Sequence, residues 1–135
     1  MVLARFGVHL PHVEVHRMID APAGAVWDLL TDTSRWAEWG PSIRAVDCPE
    51  RYILGGTRGR VKTAFGTWVP FVITDYRNGY YWSWKVFGLS ATGHRVDPLP
   101  DSRCSLTFTV PPAAAPYLTV CRIAMIRIER LALSG

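Results

Sequence analysis

The last quarter of the chain carries an apolar stripe that only a long α-helix would place on one face. After Pro111–Pro112, apolar side chains recur at the i, i+3, i+4 spacing. The members of the stripe are Tyr117, Val120, Cys121, Ala124, Met125, Ile128, Leu131 and Ala132. Because this spacing brings side chains to the same side of a helix, it predicts one long C-terminal helix. Ile123, Ile126 and Leu133 add apolar surface beyond the stripe, and whether they face a loop, a ligand or a partner subunit stays open.

The segment before that helix, from Ile43 to Val110, is typical of β-strands. In Arg58–Thr63, basic residues alternate with uncharged ones, which indicates a strand with one charged face. The Asn78–Gly79 pair predicts a tight hairpin turn, because both residues accept positive φ values. The strand TWVPFVITDY contains Pro70, which predicts a bulge or an edge position at that residue.

Two short helices are expected after a first strand at the N-terminal end. Residues 12–19 alternate as in a strand, and Asp20 is the expected N-cap of a helix that ends near Thr31–Asp32. The segment TSRWAEWGPS predicts one more helical turn, which Gly40–Pro41 ends. A curved antiparallel sheet with the long helix lying across it buries the apolar face of each. Such a sheet and helix enclose more space than side chains easily fill, so a cavity between them is expected.

Length and composition favour a single domain over residues 1–135 in a cytoplasmic protein. Hydrophobic residues at 49% and charged residues at 19% exclude disorder. No apolar run reaches the ~18 residues of a membrane span, and the first residues lack the unbroken apolar region of a signal peptide. Cys48, Cys104 and Cys121 are far apart and odd in number, which favours reduced thiols.

Nine residues, YYWSWKVFG at positions 80–88, contain five of the 16 aromatic rings. The rings could stack on nucleic-acid bases, line a ligand pocket or fill the core. Ser83 and Lys85 mark one face of this strand as the wetter one, which turns Trp82 and Trp84 inward. Single-stranded nucleic-acid binders expose their rings among Lys and Arg, whereas the basic strand Arg58–Lys62 has no rings alternating with it. The pattern therefore favours a ligand pocket and no nucleic-acid partner. Further rings available to such a pocket are Trp27, Trp68 and Phe71.

His94 is the candidate for proton transfer. In the strand ATGHRVDP it shares a face with Thr92, while Arg95 on the other face should seek water, so His94 is expected to point toward the cavity. A neutral imidazole there could act as general base or acid on an enolisable carbonyl, hydrogen-bond a ligand, or serve packing alone. Tyr117 and Cys121 lie one helical turn apart, where the phenol could donate to a ligand oxygen and packing would explain both residues equally well.

Patterns for a metal, a nucleotide or an activated nucleophile are absent from the sequence. His12 and His16 would lie ~13 Å apart on a strand, too far for one metal ion. The segment GGTRGR lacks the ending of a phosphate-binding loop, and GLSATG has its second glycine one position too late for a nucleophile elbow. No metal site and no cofactor are therefore expected.

The segment DAPAGAVWDLLTDTSRWAEWGPSIRAVD resembles the opening of the helix-grip superfamily, which holds START-type lipid-transfer domains, birch-pollen-allergen-like proteins and polyketide cyclases/dehydrases. The matching residues are Pro22, the Val26–Trp27 pair, Asp32, Trp39 and Pro41. The resemblance implies an α+β fold: a curved antiparallel sheet of about six to seven strands wrapped around a long C-terminal helix, with two short helices after the first strand. It also implies a deep, mostly apolar cavity.

These observations predict a protein, a monomer or a homodimer, that binds a hydrophobic small molecule. The first hypothesis is a polyketide cyclase/dehydrase-like protein that folds a reactive chain, with His94 and Tyr117 moving protons. The alternative is a non-catalytic carrier or sensor of a lipid-like ligand, and a third is an interaction module that uses Ile123, Ile126 and Leu133. The expected ligand contacts are Trp27, Trp68, Phe71, Trp82, Trp84, Thr92, Phe108 and Cys121.

Overall fold

The alternating residues after position 12 form the first strand of a sheet that takes up most of the chain. The structure, a computed structural model, describes residues 12–134. In this range the strands are β1 (Val13–Ile19), β2 (Ile43–Asp47), β3 (Arg58–Thr63), β4 (Trp68–Arg77), β5 (Tyr81–Val86), β6 (Leu89–Leu99) and β7 (Arg103–Val110). The helices are α1 (Ala23–Thr31), α2 (Trp36–Trp39) and α3 (Leu118–Ser134), and 3-10 turns cover Thr33–Arg35 and Pro112–Tyr117. The predicted order of elements and the α+β class are confirmed.

All of these strands join one curled antiparallel sheet in the order β1-β7-β6-β5-β4-β3-β2. The Asn78–Gly79 turn links β4 to β5 as predicted, with Gly79 at a φ of +78°. The expectation of an edge or bulge at Pro70 is wrong, because β4 is an inner strand and its irregularity falls further along, between Ile73 and Tyr76. The proline is tolerated since it lies just beyond the last β4–β5 pair, where its carbonyl accepts the Phe87 N–H at 2.8 Å.

Helix α3 buries the predicted stripe against both helical and strand neighbours. Its buried residues are Cys121, Ala124, Met125 and Ile128. The helix packs on α1, α2, β1 and β7, and the Arg17 guanidinium on β1 donates to the Glu129 carboxylate at 2.7 Å. Ile123 and Leu133 remain 40% and 56% exposed. The long helix therefore covers one side of the concave face and leaves the β3–β5 side to other elements.

The two short helices carry large rings into the core. The indole N–H of Trp36 donates to the Leu30 carbonyl at 2.9 Å, and that of Trp39 donates to the Leu29 carbonyl at 2.8 Å. Both tryptophans are buried. These bonds tie α2 to the end of α1, so that a helix of only four residues is held in place.

The turn between α1 and α2 is held by a buried carboxylate. Asp32 is 1% exposed and accepts hydrogen bonds from Ser34 and Arg51. Burial alone would raise the pKa of Asp32, but these hydrogen bonds outweigh it and hold the pKa below its ordinary value. The expected N-cap of α1 is wrong: Pro22 occupies that position without a side-chain cap, and Asp20 precedes it.

The structure also bears on the expectations about a membrane span, a signal peptide and the cysteines. None of the helices in residues 12–134 has the length and apolar character needed to cross a bilayer. The expectation that the chain starts without a signal peptide falls largely on residues 1–11, which lie outside the described residues. Cys48, Cys104 and Cys121 are all free thiols.

Candidate functional site

A cavity of about 450 Å³ lies between the sheet and the 3-10 segment that precedes α3. Strands β2 to β7 form its wall and Pro111–Tyr117 forms its roof. Its lining residues are Ser42, Ile43, Val61, Thr63, Ala64, Phe65, Val69, Trp84, Val86, Ser90, Ala91, Thr92, Val110, Pro111, Ala114 and Tyr117. No Asp, Glu, Lys or Arg is among them, so the interior is apolar with a few neutral polar groups.

Local sequence explains why this space stays open. Val61 and Val69 pair across β3 and β4 and share the inner face. Strand β6 has one residue more than β5 opposite Trp84, which lets neighbouring Ala91 and Thr92 both line the cavity. Small side chains at Ala91 and Ala114 leave room that larger residues would occupy.

The roof stands away from the sheet because prolines prevent a regular α-helix there. Pro112 and Pro116 both lie in the 3-10 segment Pro112–Tyr117, and regular α-helix begins only at Leu118. Proline lacks the N–H that an α-helix interior requires and clashes with the preceding turn. The main cavity therefore lies beside the start of α3 rather than beneath the middle of that helix.

A smaller pocket of about 30 Å³ continues inward from the main cavity. The two share Ser42, Ile43, Trp84, Thr92 and Tyr117. Residues that line the small pocket alone are Trp39, Gly40, Pro41, His94, Phe108, Val120, Cys121 and Ala124. Thr92 thus stands at the junction of the two spaces, with His94 on the inner side.

A hydrogen-bonded chain with a fixed direction runs through this junction. The Trp82 carbonyl oxygen, 3.2 Å from His94 Nδ1, can only accept, so Nδ1 carries the proton. Nε2 of the neutral ring must then accept, and Thr92 Oγ1 donates to it at 3.0 Å. The Trp84 indole N–H in turn donates to Thr92 Oγ1 at 3.0 Å. Both nitrogens of His94 are thereby occupied.

The surroundings of His94 keep the ring uncharged. Its side chain is 2% exposed, stacks on Trp82 with ring centroids 3.9 Å apart and meets the edge of Phe108 at 4.8 Å. Burial lowers the pKa of His94 to about 3, although the hydrogen bond to the Trp82 carbonyl acts in the opposite direction. A base this weak is a poor match for proton abstraction near neutral pH.

A second polar pair lies on the roof side of the cavity. Ser42 Oγ and Tyr117 Oη are 2.6 Å apart, and either can be the donor. Burial raises the pKa of the Tyr117 phenol, while the hydrogen bond with Ser42 acts in the opposite direction. One turn further along, burial raises the pKa of the Cys121 thiol to about 11. Cys121 is therefore a protonated, unreactive thiol at neutral pH.

Two hairpin tips carry exposed apolar side chains, and Phe65 on one of them also lines the cavity. Phe65 at the β3–β4 tip is 95% exposed, and Phe87 and Leu89 at the β5–β6 tip are 71% and 69% exposed. Phe87 adopts a φ of +55° and Gly88 a φ of +77°. Positive φ at both central residues is the conformation of a tight I′ turn, and the Phe87 side chain on this turn is exposed to solvent.

The sequence-derived site residues divide into four groups. Trp84, Thr92 and Tyr117 line the main cavity, and His94, Phe108 and Cys121 line the inner pocket. Two others lie in the packed core and line neither cavity, namely Phe71 and Trp82. The remaining two, Trp27 and Trp68, lie away from both cavities.

Neighbouring side chains explain why the tryptophans outside the cavities, Trp82, Trp68 and Trp27, lie where they do. Trp82 does point inward, but the Trp36 ring stacks on it at 5.5 Å and fills the space in front of it. Trp68 follows the alternation of β4 onto the outer face, where the Arg60 guanidinium lies 5.0 Å from its ring. The Trp27 ring packs against the Tyr76 ring, with centroids 5.9 Å apart.

Sequence reasoning missed most of the apolar wall. Val61, Val69 and Val86 each occupy the inward phase of an alternating strand, so strand alternation could have identified them. Ser42 and Ala114 come from irregular segments, and no periodicity marks them. Among residues 12–134, no group of three or more His, Cys, Asp or Glu side chains is arranged to hold a metal ion.

Comparison with known proteins relates the whole fold to one family. The family model described as polyketide cyclase/dehydrase and lipid transport matches residues 11–128. No curated protein matches the chain.

Solved structures share the fold at low sequence identity. A hypothetical protein from Helicobacter pylori has a TM-score of 0.74 at 14% identity, covering 90% of this chain and 88% of its own. The protein XoxI from Bacillus cereus has a TM-score of 0.71 at 10% identity, covering 92% and 96%. A protein from Chromobacterium violaceum has a TM-score of 0.63 at 17% identity, covering 90% and 96%. At these identities the likeness establishes the fold alone.

Proposed function

The chain belongs to the polyketide cyclase/dehydrase and lipid transport family, and from that premise we propose that it binds a hydrophobic small molecule in the cavity beneath Pro111–Tyr117. The observation that carries the proposal is the cavity itself, about 450 Å³ with apolar walls and few polar groups. Small-molecule sites are typically concave, mostly apolar and roughly 300–1,000 Å³ in volume. The exposed ring of Phe65, which also lines the cavity, gives an apolar ligand an entry route.

Binding without chemistry is the form of this function that the geometry favours. A proton-transfer role for His94 needs a free ring nitrogen and a pKa near the working pH. Both nitrogens are engaged, and burial lowers the pKa of His94 to about 3. We therefore propose a carrier or sensor in which His94 fixes the orientation of Thr92.

Binding can be tested with a neutral fluorescent probe and a pair of matched variants. N-phenyl-1-naphthylamine, whose emission rises in apolar surroundings, should bind the wild-type protein with one saturable site. Ala114→Phe places a ring inside the cavity, whereas Ala113→Phe adds the same ring at a neighbouring exposed position. The ring occupies volume that the probe needs, so Ala114→Phe should weaken binding by about tenfold or more, which is a loss of about 1.4 kcal/mol or more.

The control and the contrary outcome are equally direct. Ala113→Phe should keep the wild-type affinity, and both variants should keep the wild-type circular dichroism spectrum. An affinity that Ala114→Phe leaves unchanged would place the probe elsewhere and contradict the proposed site.

Cyclisation or dehydration of a polyketide-type substrate is the second candidate. It is favoured by the hydroxyl pair of Ser42 and Tyr117 on the cavity wall, which could hold a ligand carbonyl and exchange a proton with it. A reactive β-polyketone incubated with the protein should then be consumed faster than in buffer. The rate should fall in Tyr117→Phe while probe affinity is kept. Equal consumption with and without protein would leave binding as the only function of the site.

A further inference from the structure

The walls of the cavity exclude a charged ligand. Neither the main cavity nor the inner pocket has an Asp, Glu, Lys or Arg among its lining residues. A carboxylate or ammonium group that leaves water without a partner of opposite charge is strongly disfavoured. Fatty acids and other ionised amphiphiles would therefore have to keep their charged end outside the mouth, and the buried part of the ligand is neutral.

The Thr92 hydroxyl, which lies between the main cavity and the inner pocket, has a fixed hydrogen-bonding direction. Thr92 Oγ1 gives its only proton to His94 Nε2 and accepts the Trp84 indole N–H. A hydroxyl oxygen has two acceptor sites, so one lone pair of Thr92 remains. Thr92 lines the main cavity, and this lone pair makes it an acceptor without a donor.

Reversing this direction would leave buried groups unsatisfied. If Thr92 turned its hydroxyl toward a ligand, Nε2 of His94 would lose its donor inside the core. The ring cannot adopt the other tautomer without losing its bond to the Trp82 carbonyl, because a carbonyl oxygen only accepts. The Trp82 indole N–H is buried and already lacks a hydrogen-bond partner among the described residues. Trp82 lines neither cavity, so its indole cannot contact the ligand in place of Thr92.

From this geometry we propose that the cavity selects a neutral apolar ligand that ends in a hydroxyl or N–H group, which donates to Thr92 Oγ1. This inference rests on the proposed binding function and adds the chemical class of the ligand. A ligand with only an ether or carbonyl oxygen at that end would set its lone pairs against the lone pair of Thr92. Alcohols, phenols and secondary amines of fitting size are bound, and their ethers are disfavoured by roughly tenfold or more.

Two probes of similar shape separate the donor from the acceptor. The affinities of 2-naphthol and 2-methoxynaphthalene are measured by isothermal titration calorimetry for the wild-type protein, Thr92→Val and Thr92→Ser. Valine keeps the shape of threonine and removes the acceptor, whereas serine keeps the hydroxyl. The preference for 2-naphthol over its methyl ether should fall about tenfold in Thr92→Val and persist in Thr92→Ser. Comparing ratios between variants cancels the difference in hydrophobicity between the probes.

The possible outcomes distinguish this inference from the binding function on which it rests. If both probes bind but Thr92→Val leaves their ratio unchanged, the ligand class is wrong and the binding function stands. If neither probe binds the wild-type protein, both proposals are overturned. If Thr92→Val fails to fold, Thr92→Ala takes its place in the same comparison, and a probe ratio equal to that of the wild-type protein contradicts the proposed donor.

Discussion

The buried, uncharged His94 makes the stability of this protein depend on pH between about 7 and 3. The pKa of an imidazole in an unfolded chain is about 6.5, and burial lowers the pKa of His94 to about 3 in the folded protein. Between these values the unfolded state binds a proton that the folded state does not. Stability therefore rises with pH across this window and is lost as the pH falls below about 6.5. The loss is complete only near pH 3.

The magnitude follows from the two pKa values. At pH 7.5 both states are almost entirely neutral at this residue, and its contribution is close to zero. At pH 5.0 nearly all unfolded molecules carry the proton, and linkage gives a loss of about 2 kcal/mol in the free energy of unfolding. Asp32 adds little to this loss, because its pKa is held below the ordinary value of 3.8. Its contribution to the free energy of unfolding is lost only at a pH more acid than 5.0.

The assay is urea unfolding followed by tryptophan fluorescence at both pH values, with His94→Gln as the matched variant. Glutamine offers an amide nitrogen that donates and an amide oxygen that accepts, but it does not titrate. Lowering the pH from 7.5 to 5.0 should cost the wild-type protein about 2 kcal/mol more than it costs His94→Gln. Equal losses in the two proteins would mean that His94 is solvated or charged when folded, and the fixed direction of the Thr92 chain would be refuted with it.

Three further substitutions test the packing around the site. Trp36→Ala should lower the free energy of unfolding by roughly 3–5 kcal/mol, because the ring is fully buried in the core. In contrast, Trp68→Ala should cost about 1 kcal/mol or less, since Trp68 is 39% exposed on the outer face; similar losses in urea unfolding would contradict this packing. Gly93→Ala should cost about 1–3 kcal/mol, because its Cβ would overlap Thr109 Oγ1 and lie 2.7 Å from the Tyr81 hydroxyl. Adding Thr109→Ala should recover part of that loss in thermal melts, and no recovery would place the strain elsewhere.

The fold could be predicted from sequence because its signals are local and agree with one another. The helical stripe from Cys121 to Ile128, the Asn78–Gly79 turn and the short helices up to Gly40 each follow from a few neighbouring residues. An inward orientation of Trp82 and Trp84 also follows from alternation along β5. These features are the ones that backbone geometry dictates.

The location of the cavity could not be predicted in this way, because it depends on which side chains meet from distant parts of the chain. Alternation places Trp82 on the concave face but says nothing about Trp36, which comes from another element and fills the space before it. Trp84, only two residues further on, packs against the Trp36 ring with centroids 5.4 Å apart and also borders the cavity that Ala91 and Ala114 line.

Both halves of the concave face are therefore apolar, and core and pocket differ in the size of the side chains that cover them. Where α2 places Trp36 and Trp39, the space is filled except for the small inner pocket, and His94 is buried beside that pocket. Where the roof is a proline-rich 3-10 segment with Ala114 facing inward, the same sheet is left uncovered by large side chains. Thr92 lies on the boundary, which is why one hydroxyl can be anchored to a buried histidine and still present a lone pair to a ligand.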